Sequence, residues 1–157
     1  MSSQYLFLFT VVASTTGFAV AVGLILFSFL LRRNLRGAGL FLFTTLGAAI
    51  STQALKQFFM VARPEGALIE AVGYAFPSGH AMGALYLTLF IAYTASSYRK
   101  TLRYSLYFLS AAFALAIGLS RLQLGVHTPL QVLAGYSIAA FWMGMYIFLD
   151  LRFSSKT

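Results

Sequence analysis

Apolar residues run almost unbroken through five stretches of the chain, roughly Tyr5–Leu31, Gly39–Val61, Ala81–Ser96, Tyr104–Leu119 and Thr128–Leu149. Polar positions gather between these stretches instead of alternating within them. A half-buried strand would alternate every second residue, and a surface helix would keep a polar stripe. Neither pattern is present. Stretches that are apolar all round, each near the about 20 residues a helix needs to cross a bilayer core, predict membrane spans. The third and fourth are short and are expected to extend into their flanks. The predicted fold class is all-α: a polytopic membrane helical bundle of about five transmembrane helices, forming one domain over residues 1–157.

Composition sharpens this picture. The chain is 60% hydrophobic, 17% aromatic and only 9% charged, too apolar for an ordinary soluble core. The first stretch has no basic segment before it, and Arg32, Arg33 and Arg36 follow it, so it reads as a span and not a signal peptide. Cysteine is absent, which excludes disulfides and thiolate metal ligands. The net charge of +8 raises the question of nucleic acid. The basic residues lie between apolar spans, where positive-inside loops account for them, so no nucleic-acid partner is expected. Nothing in the sequence calls for an obligate protein partner.

Five spans place the chain ends on opposite sides. One side carries Arg32, Arg33, Arg36, Arg99, Lys100, Arg103, Arg152 and Lys156, and the other only Lys56, Arg63 and Arg121, a split of eight against three. The positive-inside rule makes the first side cytoplasmic. The predicted placement is an inner (plasma) membrane, with the N-terminus outside and the C-terminus in the cytoplasm. The poorer side then faces the periplasm or exterior, and it holds His80 and His127.

That side gathers nearly every unusual polar residue. Lys56 lies near the end of the second span, and Arg63-Pro64 ends it. Pro77-Ser78-Gly79-His80 opens the third. Ser120-Arg121 closes the fourth, and His127 precedes the fifth. A lone cation at such a place is readily explained by snorkelling to the interface. Three cations and two histidines at four helix ends on one side point instead to a site. Lys56 and Arg63 are separated by about two helical turns, ~10 Å, but the proline after Arg63 takes it out of the helix and lets its tip turn back. Converging cations suit a phosphate group, with arginine supplying planar donors. Backbone N–H groups where the third span begins attract anions, and Ser78 adds a hydroxyl. The only acidic residues are Glu65, Glu70 and Asp150, and Asp150 is on the far side. This is too few for a two-metal phosphatase, and two histidines are a poor zinc set. Metal-free, cofactor-free phosphoryl transfer through histidine fits better.

Lys56 followed after six residues by Arg63-Pro64, then Pro77-Ser78-Gly79-His80, then Ser120-Arg121 followed after five residues by His127, together resemble the phosphatidic acid phosphatase type 2 superfamily of membrane lipid phosphatases. The three motifs, in this order and at span ends, cover Lys56 to Gln131, about half the chain. The resemblance implies that His127 attacks phosphorus to form a phosphohistidine. It implies that His80 protonates the leaving oxygen and later activates water. Lys56, Arg63, Ser78, Gly79 and Arg121 would bind the phosphoryl oxygens, and no metal would be needed. Members of the family commonly have six spans, so five is a departure.

Gln131 is a second departure, since the family pattern has aspartate four residues after the nucleophilic histidine. Glutamine can accept from the ring N–H but brings no charge. It leaves open either a weakened relative or an active enzyme in which Gln131 orients His127. Thr128-Pro129-Leu130-Gln131 also reads as a capping box, a use that competes for the same carbonyl oxygen. The His-Thr-x-x-Gln pattern is similar to that of dolichyl diphosphate phosphatases. The expected substrate is a lipid phosphate or diphosphate with its tails in the bilayer. Undecaprenyl diphosphate, converted to the monophosphate on the outer face, is the first expectation. Phosphatidylglycerol phosphate, phosphatidic acid and lipid A phosphates are alternatives, as is transfer to another lipid. A non-catalytic binder of lipid phosphates and a transporter are the rival classes.

Among smaller signals, Glu65–Phe76 is expected to be either a short interfacial helix walling the substrate entry or an ordinary loop. Gly17, Gly23, Gly47 and Gly83 are expected to permit close helix packing. Ser51, Thr52 and Gln53 are expected to line the same pocket as Lys56. Trp142 is expected to be lipid-facing or to fill the core.

Overall fold

A computed structural model describes residues 14–98 and 100–154, and the described residues form five α-helices. These are α1 (Thr15–Leu31), α2 (Leu35–Phe59), α3 (Gly79–Tyr98), α4 (Arg103–Gln123) and α5 (Pro129–Ser154), with a turn of 3-10 helix at Lys100–Leu102 before α4. The expected first span begins outside the described residues, as do the N-terminus, Arg99 and Lys156. The two short stretches do lengthen into their flanks. Among the described residues, α2, α4 and Pro129–Phe153 of α5 are each long and apolar enough to cross a membrane. The chain is an integral membrane helical bundle.

Local chemistry sets the helix ends. Ser14 Oγ accepts from Gly17 N at 3.1 Å, and Asn34 Oδ1 from Gly37 N at 2.8 Å. Both are N-cap bonds that satisfy donors without intrahelical partners. Arg33 (φ 54) reverses the chain between α1 and α2, and Met60 (φ 45) ends α2. Pro129 occupies the first position of α5, where a missing N–H costs nothing.

Helix α3 is the axis of the bundle and touches each of the other four. Its inward stripe of Met82, Tyr86 and Phe90 meets Phe41 and Ala48 of α2 and Ala139, Met143 and Tyr146 of α5. Phe90 packs against Phe41 with ring centroids 4.3 Å apart and edge-on to Tyr146 at 5.0 Å. The Tyr86 hydroxyl is satisfied by Thr44 at 2.7 Å and Thr45 at 3.2 Å, as a buried phenol requires. Ser110 of α4 donates to the Thr88 carbonyl of α3 at 2.9 Å. Large apolar side chains such as Leu24, Phe43, Phe108, Leu133 and Phe141 point outward, the distribution of a bundle whose solvent is lipid.

Glycines set the closest approaches. A Cβ on Gly135 of α5 would stand 2.4 Å from the Ser78 carbonyl oxygen, so only glycine lets α5 lie against the start of α3. Gly47 faces the Trp142 ring and Gly83 faces Phe18, but a Cβ on Gly23 would meet nothing within 4 Å among the described residues, so no close packing there calls for glycine. Trp142 does more than fill space. Its Nε1 donates to Ser51 Oγ at 3.1 Å, which draws Ser51 towards α5.

At one end of the bundle Arg36 Nη2 pairs with Asp150 Oδ1 at 3.3 Å, and Asp150 also accepts from the Tyr93 hydroxyl at 2.9 Å. The other end carries Lys56, Arg63, His80, Arg121 and His127.

Candidate active site

The segment joining α2 to α3 is not helical, so the interfacial helix considered for Glu65–Phe76 does not form. Its backbone is spent on neighbouring loops instead. Leu68 N donates to Leu124 O at 2.9 Å and Ala75 N to Val61 O at 2.8 Å. Gly66, Gly73 and Gly125 have φ of 78°, 78° and 68°, values that suit residues without a Cβ. The segment ends in a cis Phe76-Pro77 bond. It is thereby laid against the α4–α5 connection and brings Arg63 to His127.

His127 is buried, at 5% exposure, in that connection. Its Nδ1 lies 3.1 Å from Gln131 Oε1. The same oxygen accepts from Thr128 N at 3.0 Å. The two uses expected to compete coexist, because a carbonyl oxygen has two lone pairs. An atom facing a backbone N–H must be the acceptor, so the amide is not flipped and its oxygen faces Nδ1. The ring also bonds the Ala75 backbone, and Nε2 lies 3.5 Å from Arg63 Nη1. Burial lowers the His127 pKa to about 4, and the Gln131 bond offsets this only in part. The ring is neutral at physiological pH.

Backbone carbonyls hold Arg63 and Lys56. Arg63 donates from Nε to Gly73 O at 3.1 Å, from Nη2 to Val72 O at 3.0 Å and from Nη1 to Val126 O at 3.2 Å. Burial also presses its pKa below the ordinary value. Lys56 Nζ donates to the Tyr74 carbonyl. Arg121, 1% exposed, has Nε and Nη2 each 3.3 Å from Ser120 Oγ, and its charge is felt at both His80 and Arg63. Neither Lys56 nor Arg63 has a carboxylate partner among the described residues. Like charges gathered in a half-buried space repel, and an anion relieves that repulsion.

The start of α3 supplies uncharged donors. Ser78 is fully buried. Its N donates to Gln131 O at 2.9 Å, and its Oγ faces Ala81 N at 3.4 Å, the place of an N-cap. Its carbonyl accepts from Met82 N at 3.1 Å. The N–H groups of Gly79 and His80 have no acceptor among the described residues, and both residues line a cavity.

That cavity, about 680 Å³, is lined at its polar end by Lys56, Arg63, Gly79, His80 and His127. It continues into the bundle between α1, α2, α3 and α4, past Phe18, Leu87, Ile91 and Phe113. His80, Gly83, Leu87 and Ile91 form one helical stripe, so the floor runs about 16 Å along α3. Ser78, Arg121 and Gln131 are not in its wall. All three are buried. Thr52 and Gln53 line the cavity as expected, while Ser51 does not. Val72, Gly73 and Tyr74 form its rim, so the connecting loop walls the entry without being helical. Gln57, Thr15 and Gly83 also line it, though no sequence motif marks them.

A family model described as the PAP2 superfamily matches residues 37–153. Phosphatidylglycerophosphatase B of Bacillus subtilis (strain 168) is 33% identical over 90 residues, covering 55% of this chain and 44% of that protein. The match thus spans less than half the length of this curated relative. A crystal structure described as the first transmembrane PAP2 type phosphatidylglycerolphosphate phosphatase from Bacillus subtilis has a TM-score of 0.85 at 24% identity, covering 95% of this chain and 76% of that one. At that identity it speaks for the fold.

Proposed function

The chain belongs to the PAP2 superfamily, and on that premise we propose that it is a metal-independent lipid phosphatase acting through a phosphohistidine. One observation carries this reading: His127 is held by Gln131 through Nδ1 and turns Nε2 to Arg63, at the polar end of a cavity that runs into the apolar bundle. In the proposed mechanism Nε2 attacks phosphorus and forms the N–P bond. The P–O bond to the lipid breaks, and His80 gives its proton to the departing oxygen. His80 then takes a proton from water, whose oxygen attacks phosphorus, releases phosphate and restores His127. The positive charge on the ring during attack is steadied by the Gln131 carbonyl without a full negative charge.

Lys56, Arg63 and the free N–H groups of Gly79 and His80 hold the phosphoryl oxygens, where preorganised donors act most strongly on the transition state. Arg121 adds its charge from behind His80. Ser78 acts by capping α3, not by touching substrate. The tail lies along the α3 stripe and the head group stays at the membrane surface. The distribution of basic residues supports a site on the outer face of the membrane.

Undecaprenyl diphosphate remains the first substrate, and the name of the matched relative favours phosphatidylglycerol phosphate as the second. Phosphate release in detergent with EDTA tests the reading, comparing these two with phosphatidic acid and lipid A, and His127→Ala with wild type. Turnover of one lipid, lost in the variant, is the expected result. No turnover of any lipid, with binding retained by both proteins, would make the chain a binder. A reporter fused after Thr157 is expected in the cytoplasm; an external reporter would reverse the site.

A further inference from the structure

Two glutamines face the cavity and take no part in the mechanism above. Gln53 and Gln57 lie on α2, four residues apart, with Lys56 between them, and all three line the same space. Both are exposed, and neither makes a hydrogen bond among the described residues. Gln57 is level with the cation site. Gln53 lies about 6 Å deeper along the helix axis, at the junction of the polar end and the apolar groove. Thr15 of α1 also lines the cavity.

An amide within a span costs free energy wherever it meets only hydrocarbon. These two avoid that by facing the cavity, and what they offer there is a pair of neutral N–H donors beside the Lys56 ammonium. Donors in that arrangement suit an oxygen-rich acceptor. It would sit beyond the scissile phosphoryl group and before the tail. A simple alkyl or isoprenyl monophosphate has no such group. A diphosphate has one in its second phosphoryl group, and a phosphatidylglycerol phosphate has one in its glycerol and phosphodiester oxygens.

We propose that Gln53 and Gln57 are specificity-determining residues that bind the acceptor group between the scissile phosphoryl and the tail, and so select lipid diphosphates or glycerol-linked phosphates over simple monophosphates. This rests on the phosphatase reading.

The test is Gln53→Met with Gln57→Met. Methionine nearly matches glutamine in shape and helix propensity, and both positions are exposed, so no core packing is removed. Two ratios are measured for wild type and variant. One is kcat/KM for farnesyl diphosphate over farnesyl monophosphate, and the other is kcat/KM for phosphatidylglycerol phosphate over hexadecyl phosphate. At least one is expected to fall tenfold or more in the variant, and the one that falls names the acceptor. Both ratios staying within threefold of wild type would overturn the proposal.

Binding of farnesyl methylenediphosphonate against farnesyl phosphonate, neither of them hydrolysable, gives the same comparison without turnover. If wild type releases no phosphate, the enzymatic reading fails on its own, and the binding ratio still decides the role of the glutamines.

Discussion

A single oxygen, Gln131 Oε1, holds the Nδ1 of His127 at 3.1 Å and the N–H of Thr128 at 3.0 Å, so the His127 ring and the start of α5 are fixed by one atom. Gln131→Leu leaves the buried His127 Nδ1 without its partner, at a cost of about 1–3 kcal/mol, and returns the N–H of the exposed Thr128 to its surroundings. Its melting temperature in detergent is expected to drop, and kcat to fall on the order of 10–100-fold, the equivalent of that loss in orientation. Gln131→Glu keeps both bonds and adds charge. It is expected to retain activity and to raise the pKa of His127, read as an upward shift in the acid limb of kcat/KM against pH.

The pKa of His127, lowered to about 4 by burial, has a direct readout. Diethyl pyrocarbonate reacts with neutral imidazole, and mass spectrometry reports each histidine separately. In substrate-free protein the pH midpoint for modifying His127 is expected near 4, well below the ordinary value of 6.5. A midpoint at 6.5 would mean that the ring is solvated. The sign for stability follows. Between 6.5 and about 4 the unfolded chain binds a proton that the folded chain refuses, so this residue costs stability as pH falls through that window.

Arg121 is buried with Nε and Nη2 both against Ser120 Oγ. Lysine cannot reproduce a planar fork. Arg121→Lys is expected to fold and to lose roughly 10–100-fold in kcat/KM, the worth of about 1.5–3 kcal/mol for a charged hydrogen bond. Steady-state kinetics beside a thermal melt separates this from unfolding.

Gly135 and Gly79 make a contrasting pair. A methyl on Gly135 would stand 2.4 Å from the Ser78 carbonyl oxygen and 3.2 Å from Met82 N, both backbone atoms. Gly135→Ala is expected to destabilise by about 1–3 kcal/mol and to reduce kcat by moving the α3 terminus. A methyl on Gly79 would meet nothing nearer than Thr52 Cγ2 at 4.0 Å. Gly79→Ala is expected to melt within about 1 kcal/mol of wild type, in line with a substitution that creates neither overlap nor cavity, and to raise KM where the methyl intrudes on bound phosphate. Thermal melts and kinetics of both variants check the pair.

Much of this was legible in the sequence because hydrophobic runs and helix-end chemistry are local signals. The five apolar stretches marked the helices, and the cations at their ends marked the side that holds the cavity. Glu65–Phe76 was harder to read. Its apolar spacing allows a helix, but its backbone bonds go to Val61 and Leu124, partners set by tertiary contact. The double role of Gln131 was also hidden, since a residue pattern does not show that one oxygen can serve two donors from different directions. Ser78 and Arg121 carried the right chemistry for phosphate. Only packing shows that both are buried and do not line the cavity. Gly135, Gln53 and Gln57 belong to no motif, and their positions follow from how α2, α3 and α5 are juxtaposed.

The carbonyls of Val72, Gly73 and Tyr74 form a row that takes hydrogen bonds from Arg63 and Lys56. The chain thereby carries its own rival for the ion it is built to hold. A departing phosphate leaves no bare cations behind, because backbone oxygens already share them, and its hold is weakened accordingly. Turnover is then expected to be paced by bond breaking and not by escape of the product. Inorganic phosphate is expected to inhibit only at concentrations well above the KM of the lipid, a comparison that a product-inhibition series makes directly.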